Sequence, residues 1–276
     1  MIKTKSDQMH GQKMPPRKMI YFTLIGRIFP AHFTKNAHMT QKNRIIGNLR
    51  ENTHATVKNR RAGMSLQLAN IRQEYSKKKL SPESCTDDPF VQFECWLNEA
   101  FAANVLEPTA MHVATVSPEG RLSGRIVLLK GIENGEFRFY TNYASRKGMH
   151  LAHNPSIALT FFWPELERQV RVEGCACPLA PEISDNYFRS RPYTSQLGAW
   201  ASEQSKEITS KADLITQAAK LALQYPVRVP RPPHWGGYSV SADRLEFWQG
   251  RPSRLHDRVV YLLEETGTWR KIRVAP

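Results

Sequence analysis

The residues with the clearest chemical character lie in segment 245–258, Leu-Glu-Phe-Trp-Gln-Gly-Arg-Pro-Ser-Arg-Leu-His-Asp-Arg. Three arginines and His256 come directly behind a strand-like aromatic run that contains Trp248. A buried guanidinium without a partner costs several kcal/mol, so a core strand rarely carries such a group. An exposed edge strand with a basic turn is one interpretation. A pocket wall is the sharper one, because arginines bind anions and the Trp248 face can stack on a flat ring.

Two basic pairs further up the chain have the composition of a phosphate site. Arg125 and Lys130 bracket the apolar run 126–129, and Arg146 and Lys147 open a predicted helix. Backbone amides at the start of a helix add partial positive charge to such cations. Simple solvent exposure of Lys147 is the alternative, and this pair alone is a weak signal.

Another basic group surrounds residues 187–195. Tyr187 and Arg191 are four residues apart, which places them on one helix face, and Ser195 follows the turn at Pro192. Together with segment 245–258, the basic groups predict two phosphorylated ligands that meet in one site.

A sheet interrupted by helices must position these residues. From Met111 onward apolar residues alternate with polar ones, as Phe137 and Phe139 do with Arg138, which predicts strands with one buried face. Predicted strands span residues 111–116, 125–132, 136–141, 157–163, 169–175, 237–241, 244–249, 259–264 and 269–274. Predicted helices span residues 67–75, 145–153, 181–190, 195–202 and 208–224. Closely spaced strands with interrupting helices favour an α+β antiparallel barrel over alternating βαβ units.

One further helix is predicted directly after Asp87-Asp88-Pro89, because acids at the cap and proline in the first turn favour a helix start. The apolar residues that follow repeat at the spacing of one buried helix face. They are Phe90, Phe93, Trp96, Leu97, Ala100 and Phe101.

Most of the positive charge lies in the first 62 residues. The formal net charge of the chain is +14, and residues 1–62 hold 13 Lys and Arg but only two acids. We therefore predict a basic, disordered leader over residues 1–62 and a folded domain over residues 63–276. The near balance of charge in the folded domain argues against a nucleic-acid-binding function. The leader fits a mitochondrial presequence, and equally a segment upstream of a start at Met39 or Met64; the cytoplasm is otherwise the expected compartment.

Several functional classes find no support in the sequence. The apolar run 19–26 is far shorter than the roughly 20 residues that span a bilayer. Cys85, Cys95, Cys175 and Cys177 lack paired C-x-x-C spacing, which argues against a zinc site and a disulfide framework. We expect no membrane association and no metal, and no Gly-rich nucleotide loop is present.

Six groups of motifs, in order along the chain, resemble the pyridoxamine 5′-phosphate oxidase family. They are Arg125-Ile-Val-Leu-Leu-Lys130, Tyr140-Thr-Asn-x2-Ser-Arg-Lys147, Leu166-Glu-Arg-Gln-Val170, Arg189-Ser-Arg-Pro192 with Ser195-Gln-x-Gly-Ala-Trp200, His234-Trp-Gly-Gly237 and segment 245–258. The similarity runs from about Ile71 to the C-terminus, and the pattern in 245–258 is specific to that family. Residues 1–62 match nothing we can name.

The resemblance implies an FMN-binding split β-barrel with antiparallel Greek-key-like strands, peripheral helices and a homodimeric assembly. It also implies oxidation of pyridoxamine 5′-phosphate or pyridoxine 5′-phosphate to pyridoxal 5′-phosphate, with O₂ reduced to H₂O₂. The choice between the amine and the alcohol substrate stays open at this point.

The resemblance also implies site residues, carried over position by position. The FMN contacts would be Arg125, Ile126, Val127, Leu128, Leu129, Lys130, Tyr140, Thr141, Arg146, Lys147, Gln169, Gln204, Ser205, Trp248 and Arg258. The substrate phosphate would contact Lys130, Tyr187, Arg191 and Ser195. The substrate ring would meet Arg254, Leu255 and His256, under a lid of Arg72 and Tyr75. Arg254 and His256 are the catalytic candidates, with His256 a possible proton acceptor.

A rival interpretation is a non-catalytic split-barrel protein that carries or senses a flavin or pyridoxal 5′-phosphate. The Arg254 and His256 pair and the substrate-phosphate residues disfavour it, because a carrier needs no second ligand site. A nucleic-acid-binding role would be confined to the leader, where salt dependence of binding would reveal it.

Overall fold

The elements of the fold come from a computed structural model that describes residues 74–276. The strands are β1 Ala110–Val116, β2 Leu122–Leu128, β3 Gly131–Glu133, β4 Glu136–Asn142, β5 Ser156–Trp163, β6 Arg168–Pro178, β7 Trp235–Gln249, β8 Asp257–Leu263 and β9 Trp269–Arg273. The helices are α1 Pro89–Ala102, α2 Arg146–His153, α3 Pro181–Ser190, α4 Tyr193–Ala201 and α5 Lys211–Gln224. The predicted leader and Arg72 lie outside the described residues, as does the predicted helix 67–75 except for Glu74 and Tyr75, which are not helical.

The described strands form one antiparallel sheet that divides at β7. The order is β2-β1-β5-β6-β7-β4-β3, with β8 pairing with both β7 and β9. One edge of β7 pairs with β6, whereas its other edge pairs first with β4 and then with β8. Asp243 is an extra residue in β7, because Ala242 pairs with Gly174 and Arg244 pairs with Glu173. Such a bulge bends a strand. The α+β antiparallel split barrel confirms the predicted fold class.

Helix α1 packs its apolar face against side chains from three strands. The Phe93 ring lies 5.0 Å from Phe137 and 4.8 Å from Phe161, and the Trp96 ring lies 5.2 Å from Phe247. The Asp88 carboxylate caps the helix by accepting hydrogen bonds from the first backbone amides, which confirms the predicted helix start.

The prediction that Phe101 belongs to the buried face of α1 is wrong. The deeply buried stripe consists of Phe93, Trp96 and Ala100, whereas Phe90 and Leu97 are half-buried. Phe101 lies on the same flank as these two, in the last turn of the helix, and is 53% exposed.

The sheet differs from the sequence prediction at two places. The predicted strand 125–132 is divided into β2 and β3. The predicted strands 237–241 and 244–249 are one strand, β7, because the bulge at Asp243 keeps the chain paired with β6 where the sequence suggests a turn. Arg138 was expected on the solvent face, yet it is buried and forms an ion pair with Glu133.

Two helix starts also differ from the prediction. Helix α5 begins at Lys211 and not at residue 208, because the Ser210 hydroxyl accepts a hydrogen bond from the Ala212 amide at 3.0 Å. Helix α4 begins at Tyr193, directly after Pro192, and not at Ser195. Among residues 74–276 there is no helix of the length and apolar character needed to cross a membrane.

Candidate active site

A cleft of about 830 Å³ opens beside β2 and β4, with residues of α2, α3 and α4 in its wall. The wall carries five cations, Arg125, Lys130, Arg146, Lys147 and Arg191, and no Asp or Glu among the described residues lines it. Cations gathered without acids repel one another and create a strong positive potential, so the cleft is suited to anions. Fourteen predicted site residues line it: Arg125, Ile126, Val127, Leu128, Lys130, Tyr140, Thr141, Arg146, Lys147, Tyr187, Arg191, Ser195, Gln204 and Ser205.

The start of α2 forms one end of the cleft. The Ser145 hydroxyl caps the helix by accepting from the Gly148 amide at 3.4 Å, and it donates to the Asn142 carbonyl at 2.6 Å. A Cβ at position 148 would lie 2.1 Å from the Tyr143 carbonyl oxygen, so only glycine allows this close approach. The positive end of the α2 dipole therefore lies at a wall already rich in cations.

Lys147 is buried at this end of the cleft without a carboxylate partner among the described residues. Its Nζ lies 2.8 Å from Thr141 Oγ1, 3.1 Å from Ser145 Oγ and 2.8 Å from Gln204 Oε1, which are all neutral acceptors. Burial, followed by repulsion from Arg125, lowers the pKa of Lys147 from 10.5 to about 8. The negative charge of an anion in the cleft would offset both effects on the pKa of Lys147.

Arg125 is held against the sheet by neutral oxygens. Its Nη1 donates to the Val113 carbonyl at 3.0 Å and to Thr115 Oγ1 at 2.9 Å, and its Nη2 donates to Ser123 Oγ at 2.8 Å. Burial, followed by repulsion from Arg146, lowers the pKa of Arg125. The neighbouring Leu129 is buried in the core and does not line the cleft.

Three aromatic rings lie nearly parallel at the other end of the cleft. Tyr140 and Tyr187 stack with ring centroids 3.7 Å apart, and the Trp235 ring is tilted by only 2° from Tyr187. Burial raises the pKa of both tyrosines, so each phenol stays a neutral hydrogen-bond donor at neutral pH. A Cβ at Gly237 would lie 2.7 Å from the Tyr140 ring, so this packing depends on glycine.

Arg191 lies over the Trp235 ring, with its guanidinium carbon 4.6 Å from the ring centroid. Its Nη1 is buried and has no hydrogen-bond partner among the described residues. Burial lowers the pKa of Arg191. A buried guanidinium donor without an acceptor is costly, so this side chain is suited to an anionic ligand.

The residues of segment 245–258 form a second cluster away from this cleft. The Trp248 ring centroid lies 4.7 Å from that of His256, and Tyr75 contacts both rings edge-on at 5.8 Å. Gly250 allows Tyr75 to approach, since a Cβ there would lie 2.7 Å from Tyr75 Cβ. The predicted lid residue Tyr75 thus lies with the predicted ring-binding residue His256.

The loop that carries Arg254 is strained. Ser253 and Arg254 have φ values of 55° and 60°, the left-handed region that favours glycine. Each such residue costs about 1–3 kcal/mol, and strain of this kind concentrates at functional sites. Leu255, the next residue, is 71% exposed.

His256 presents one particular nitrogen outward. Its Nδ1 accepts a hydrogen bond from the Arg251 amide at 3.1 Å, so a neutral ring carries its proton on Nε2. Burial, followed by repulsion from Arg254, lowers the pKa of His256 and favours the neutral ring. In this geometry Nε2 of the neutral ring is a hydrogen-bond donor, and the role of His256 as a proton acceptor stays a prediction.

Gln169, Trp248 and Arg258 form a row across β6, β7 and β8, because Trp248 pairs with both of the others. The buried Glu246 carboxylate accepts from Arg258 Nε and Nη2, each at 2.9 Å, which fixes the guanidinium. Arg258 Nη1 donates to the Ala275 carbonyl at 2.7 Å. The hydrogen bonds with Glu246 and its negative charge raise the pKa of Arg258.

The structure therefore separates the predicted site into two clusters. Trp235 in the cleft and Trp248 in the second cluster lie near opposite ends of β7. At about 3.3 Å per residue they are on the order of 40 Å apart along the strand. The predicted residues that do not line the cleft are Tyr75, Leu129, Gln169, Trp248, Arg254, Leu255, His256 and Arg258.

Sequence reasoning also missed residues of the cleft wall. Trp235, Gly198 and Ala199 line the cleft although none was assigned to the site. They lie in the motifs His-Trp-Gly-Gly and Ser-Gln-x-Gly-Ala-Trp, which carried the family resemblance but no assigned role. Trp235 could have been found as the aromatic partner that Arg191 needs.

The fold and the site define a class of protein, the FMN-binding split barrels related to pyridoxamine 5′-phosphate oxidase. A solved protein of that description from Nostoc punctiforme covers 67% of this chain with a TM-score of 0.56 and 14% identity, which shows the fold alone. PhzG from Burkholderia lata 383, solved in complex with tetrahydrophenazine-1-carboxylic acid, covers 74% of this chain with a TM-score of 0.69 and 29% identity.

The chain belongs to the pyridoxine/pyridoxamine 5′-phosphate oxidase family. Residues 97–224 match the family model of pyridoxamine 5′-phosphate oxidase, and residues 235–276 match that of the pyridoxine 5′-phosphate oxidase C-terminal dimerisation region. The pyridoxine/pyridoxamine 5′-phosphate oxidase of Chromobacterium violaceum is 66% identical over 77% of this chain and all of its own length. That of Neisseria gonorrhoeae is 57% identical over 76% of this chain and all of its own length.

These matches show that the protein is an oxidase of pyridoxine or pyridoxamine 5′-phosphate, which confirms the predicted family and enzyme class. The match to a dimerisation region supports the predicted homodimer. The relatives are bacterial proteins, so they give no support to mitochondrial import.

Proposed function

We propose that the protein binds FMN in the cleft and uses it to oxidise pyridoxamine 5′-phosphate or pyridoxine 5′-phosphate to pyridoxal 5′-phosphate. The observation that carries this proposal is the wall of five cations, which no carboxylate of the described residues lines and which matches two phosphate dianions better than any neutral ligand. Bound FMN would supply the redox chemistry, taking a hydride equivalent from C4′ of the substrate and passing two electrons to O₂, which with two protons becomes H₂O₂. The alcohol substrate would give the aldehyde directly, whereas the amine substrate would give an imine that water hydrolyses with release of NH₃.

The FMN phosphate is assigned to the start of α2. The buried Lys147 ammonium forms its hydrogen bonds with neutral oxygens. Arg125 repels Lys147 and Arg146 repels Arg125, and a bound anion would offset both repulsions. The amide ends of α2 add further positive potential. Gln204 and Ser205 close this end of the cleft, and the Ser205 hydroxyl accepts from the Arg146 amide at 3.3 Å.

The substrate phosphate is assigned to the other end of the cleft, to Lys130, Tyr187, Arg191 and Ser195. The unpartnered, buried Nη1 of Arg191 supports this assignment, since a phosphate oxygen would satisfy it. The neutral phenol of Tyr187 and the hydroxyl of Ser195 are further donors to the same group. Relatives that act on vitamin B6 phosphates are 56–66% identical, against 29% for PhzG, which favours the B6 substrates.

We further propose that each site is completed by the partner subunit. In one chain the cleft and the second cluster lie near opposite ends of β7, and no described residue of the second cluster lines the cleft. The dimerisation region, residues 235–276, contains Trp248, His256 and Arg258 of the second cluster. The partner's copy of that cluster would then face the cleft and bring Gln169, Trp248 and Arg258 to the flavin.

The partner's Arg254, Leu255 and His256 would bound the substrate ring in this arrangement, with Tyr75 above it. His256 would donate from Nε2 to a substrate oxygen, because its Nδ1 is occupied by the Arg251 amide. The strained backbone at Arg254 would hold its guanidinium against the ring near C4′. The cations of the cleft would also stabilise negative charge that develops on the flavin.

A direct experiment tests the proposed activity. The purified protein should show the visible absorption of a bound flavin and release FMN, not FAD or free riboflavin, on denaturation. With pyridoxamine 5′-phosphate it should produce H₂O₂ and pyridoxal 5′-phosphate in equal amounts. A protein that binds no flavin, or that binds FMN but forms no H₂O₂ with either phosphate substrate, would refute the proposal.

A complementation experiment tests the shared site. Arg191→Ala damages the cleft and Arg254→Ala damages the second cluster, and each homodimer should be impaired. A mixed dimer would hold one site with both lesions and one site with neither, so it should regain about half of the wild-type activity. If each site were built within one chain, every site of the mixed dimer would carry one lesion and no activity would return.

A further inference from the structure

A buried histidine next to the cleft is outside the residues assigned so far. His150 lies on α2, is 4% exposed, and its Nδ1 is 3.1 Å from Thr115 Oγ1 on β1. The Thr115 side chain is fully buried, and the same hydroxyl oxygen accepts a hydrogen bond from Arg125 Nη1 at 2.9 Å. A continuous chain of hydrogen bonds therefore runs from His150 to a cation of the cleft.

The direction of one hydrogen bond in this chain is fixed, because a guanidinium only donates and the Thr115 oxygen must therefore accept from Arg125. In the tautomer of His150 that carries its proton on Nε2, the single hydroxyl proton of Thr115 points at Nδ1, which accepts it. A hydroxyl with a defined acceptor for its proton keeps its lone pairs directed at the guanidinium.

We propose that His150 is a positioning residue, which through Thr115 holds Arg125 toward the phosphate end of the cleft. The inference rests on the proposed function, because it assumes that this end binds the FMN phosphate. His150 does not touch the cleft itself, since it is not among the lining residues.

The charges around Arg125 explain why it needs such support. Arg125 lies close enough to Arg146 and Lys147 to repel both, and its own partners are neutral oxygens. Without a fixed set of acceptors, the guanidinium would turn away from its neighbours when no anion is bound. His150 and Lys147 lie on the same helix, so α2 sets the position of two cations of the phosphate site at once.

Two variants of His150 test the proposal. FMN binding to each apoprotein is measured by the quenching of flavin fluorescence. His150→Leu fills a similar volume but removes the acceptor. It should raise the Kd for FMN about tenfold, the size expected when a hydrogen bond to a charged group is weakened. His150→Asn keeps an acceptor near the Nδ1 position, and its Kd should stay within about threefold of wild type. Riboflavin, which lacks the phosphate, should bind all three proteins alike.

A double-mutant cycle with Arg125→Ala separates positioning from a general structural role. If His150 acts through Arg125, His150→Leu should have no further effect on FMN affinity once Arg125 is removed. Additive effects, or equal losses of FMN and riboflavin binding together with a lower Tm of the apoprotein, would overturn the inference. A wild-type protein that binds no FMN would refute the proposed function, whereas normal FMN binding by His150→Leu would refute this inference alone.

Discussion

Replacement of Lys147 by Met is expected to stabilise the apoprotein at neutral pH and to weaken FMN binding strongly. The reason for both effects is the same. The buried ammonium has three neutral acceptors and no carboxylate among the described residues, so the apoprotein holds a charge that only a ligand can compensate. Methionine has a similar length and no charge, so it removes the electrostatic penalty while largely filling the space.

The magnitude follows from the pKa of Lys147. A pKa of about 8 in place of 10.5 corresponds to about 3 kcal/mol, at about 1.4 kcal/mol per pH unit. The cleft admits water, which screens the charge, and the lost hydrogen bonds to Thr141 and Gln204 offset part of the gain. We therefore expect Lys147→Met to raise the free energy of unfolding of the apoprotein at pH 7 by about 1 kcal/mol.

The pH dependence of apoprotein stability gives a second check on the sign of this effect. Between pH 8 and 10.5 the unfolded chain keeps the Lys147 proton while the folded protein loses it. The stability of the wild-type apoprotein relative to the variant should therefore rise as the pH rises through this range. Urea denaturation of both apoproteins should show a smaller difference in the free energy of unfolding at pH 9.5 than at pH 7. Other groups that titrate in this range contribute equally to both proteins, so they cancel in that difference.

Arg146→Met is the matched control, because Arg146 lines the same end of the cleft but is exposed. It should weaken FMN binding without a gain in apoprotein stability. The interpretation of Lys147 is wrong if Lys147→Met destabilises the apoprotein at pH 7, or if it binds FMN as tightly as wild type.

Three further predictions follow from the same structure. Arg191→Ala should mainly raise KM for phosphorylated substrates and leave turnover of unphosphorylated pyridoxine nearly unchanged. Arg254→Ala should instead lower kcat for both substrate types. Steady-state kinetics with both types would expose a reversed assignment. Gly148→Ala should lower the Tm and the FMN affinity together, because its Cβ would lie 2.1 Å from the Tyr143 carbonyl oxygen, and calorimetry that found neither change would contradict the packing. Deletion of residues 1–62 should leave turnover and Tm nearly intact, and a large loss of either would show that this segment joins the fold.

Local sequence patterns were sufficient to predict most of the fold. The Asp-Asp-Pro start of α1 and the alternation of Phe137 and Phe139 depend on neighbours along the chain, and both are found as expected. One of the errors has a distant cause, whereas others have local causes. Pairing with β6 carries β7 through the bulge at Asp243, and Glu133 allows Arg138 to be buried.

The candidate site shows the same division. The basic groups that form the cleft were predictable, because Arg146 and Lys147 are adjacent and Tyr187 and Arg191 share one helix face. Their separation from Trp248 and His256 was not predictable, since it follows from the length of β7 and not from residue types. The link from His150 to Arg125 through Thr115 joins α2, β1 and β2, and no spacing in the sequence reveals it.

The cationic wall of the cleft has a consequence for how the protein behaves in solution. Five cations, with no acid lining the cleft within residues 74–276, attract small oxyanions such as inorganic phosphate, sulfate and pyrophosphate. Such ions compete with both phosphorylated ligands, and added salt shortens the reach of the attraction to about 10 Å at 0.1 M ionic strength. Apparent affinities for cofactor and substrate therefore depend on the buffer anion and on the ionic strength as much as on the side chains themselves.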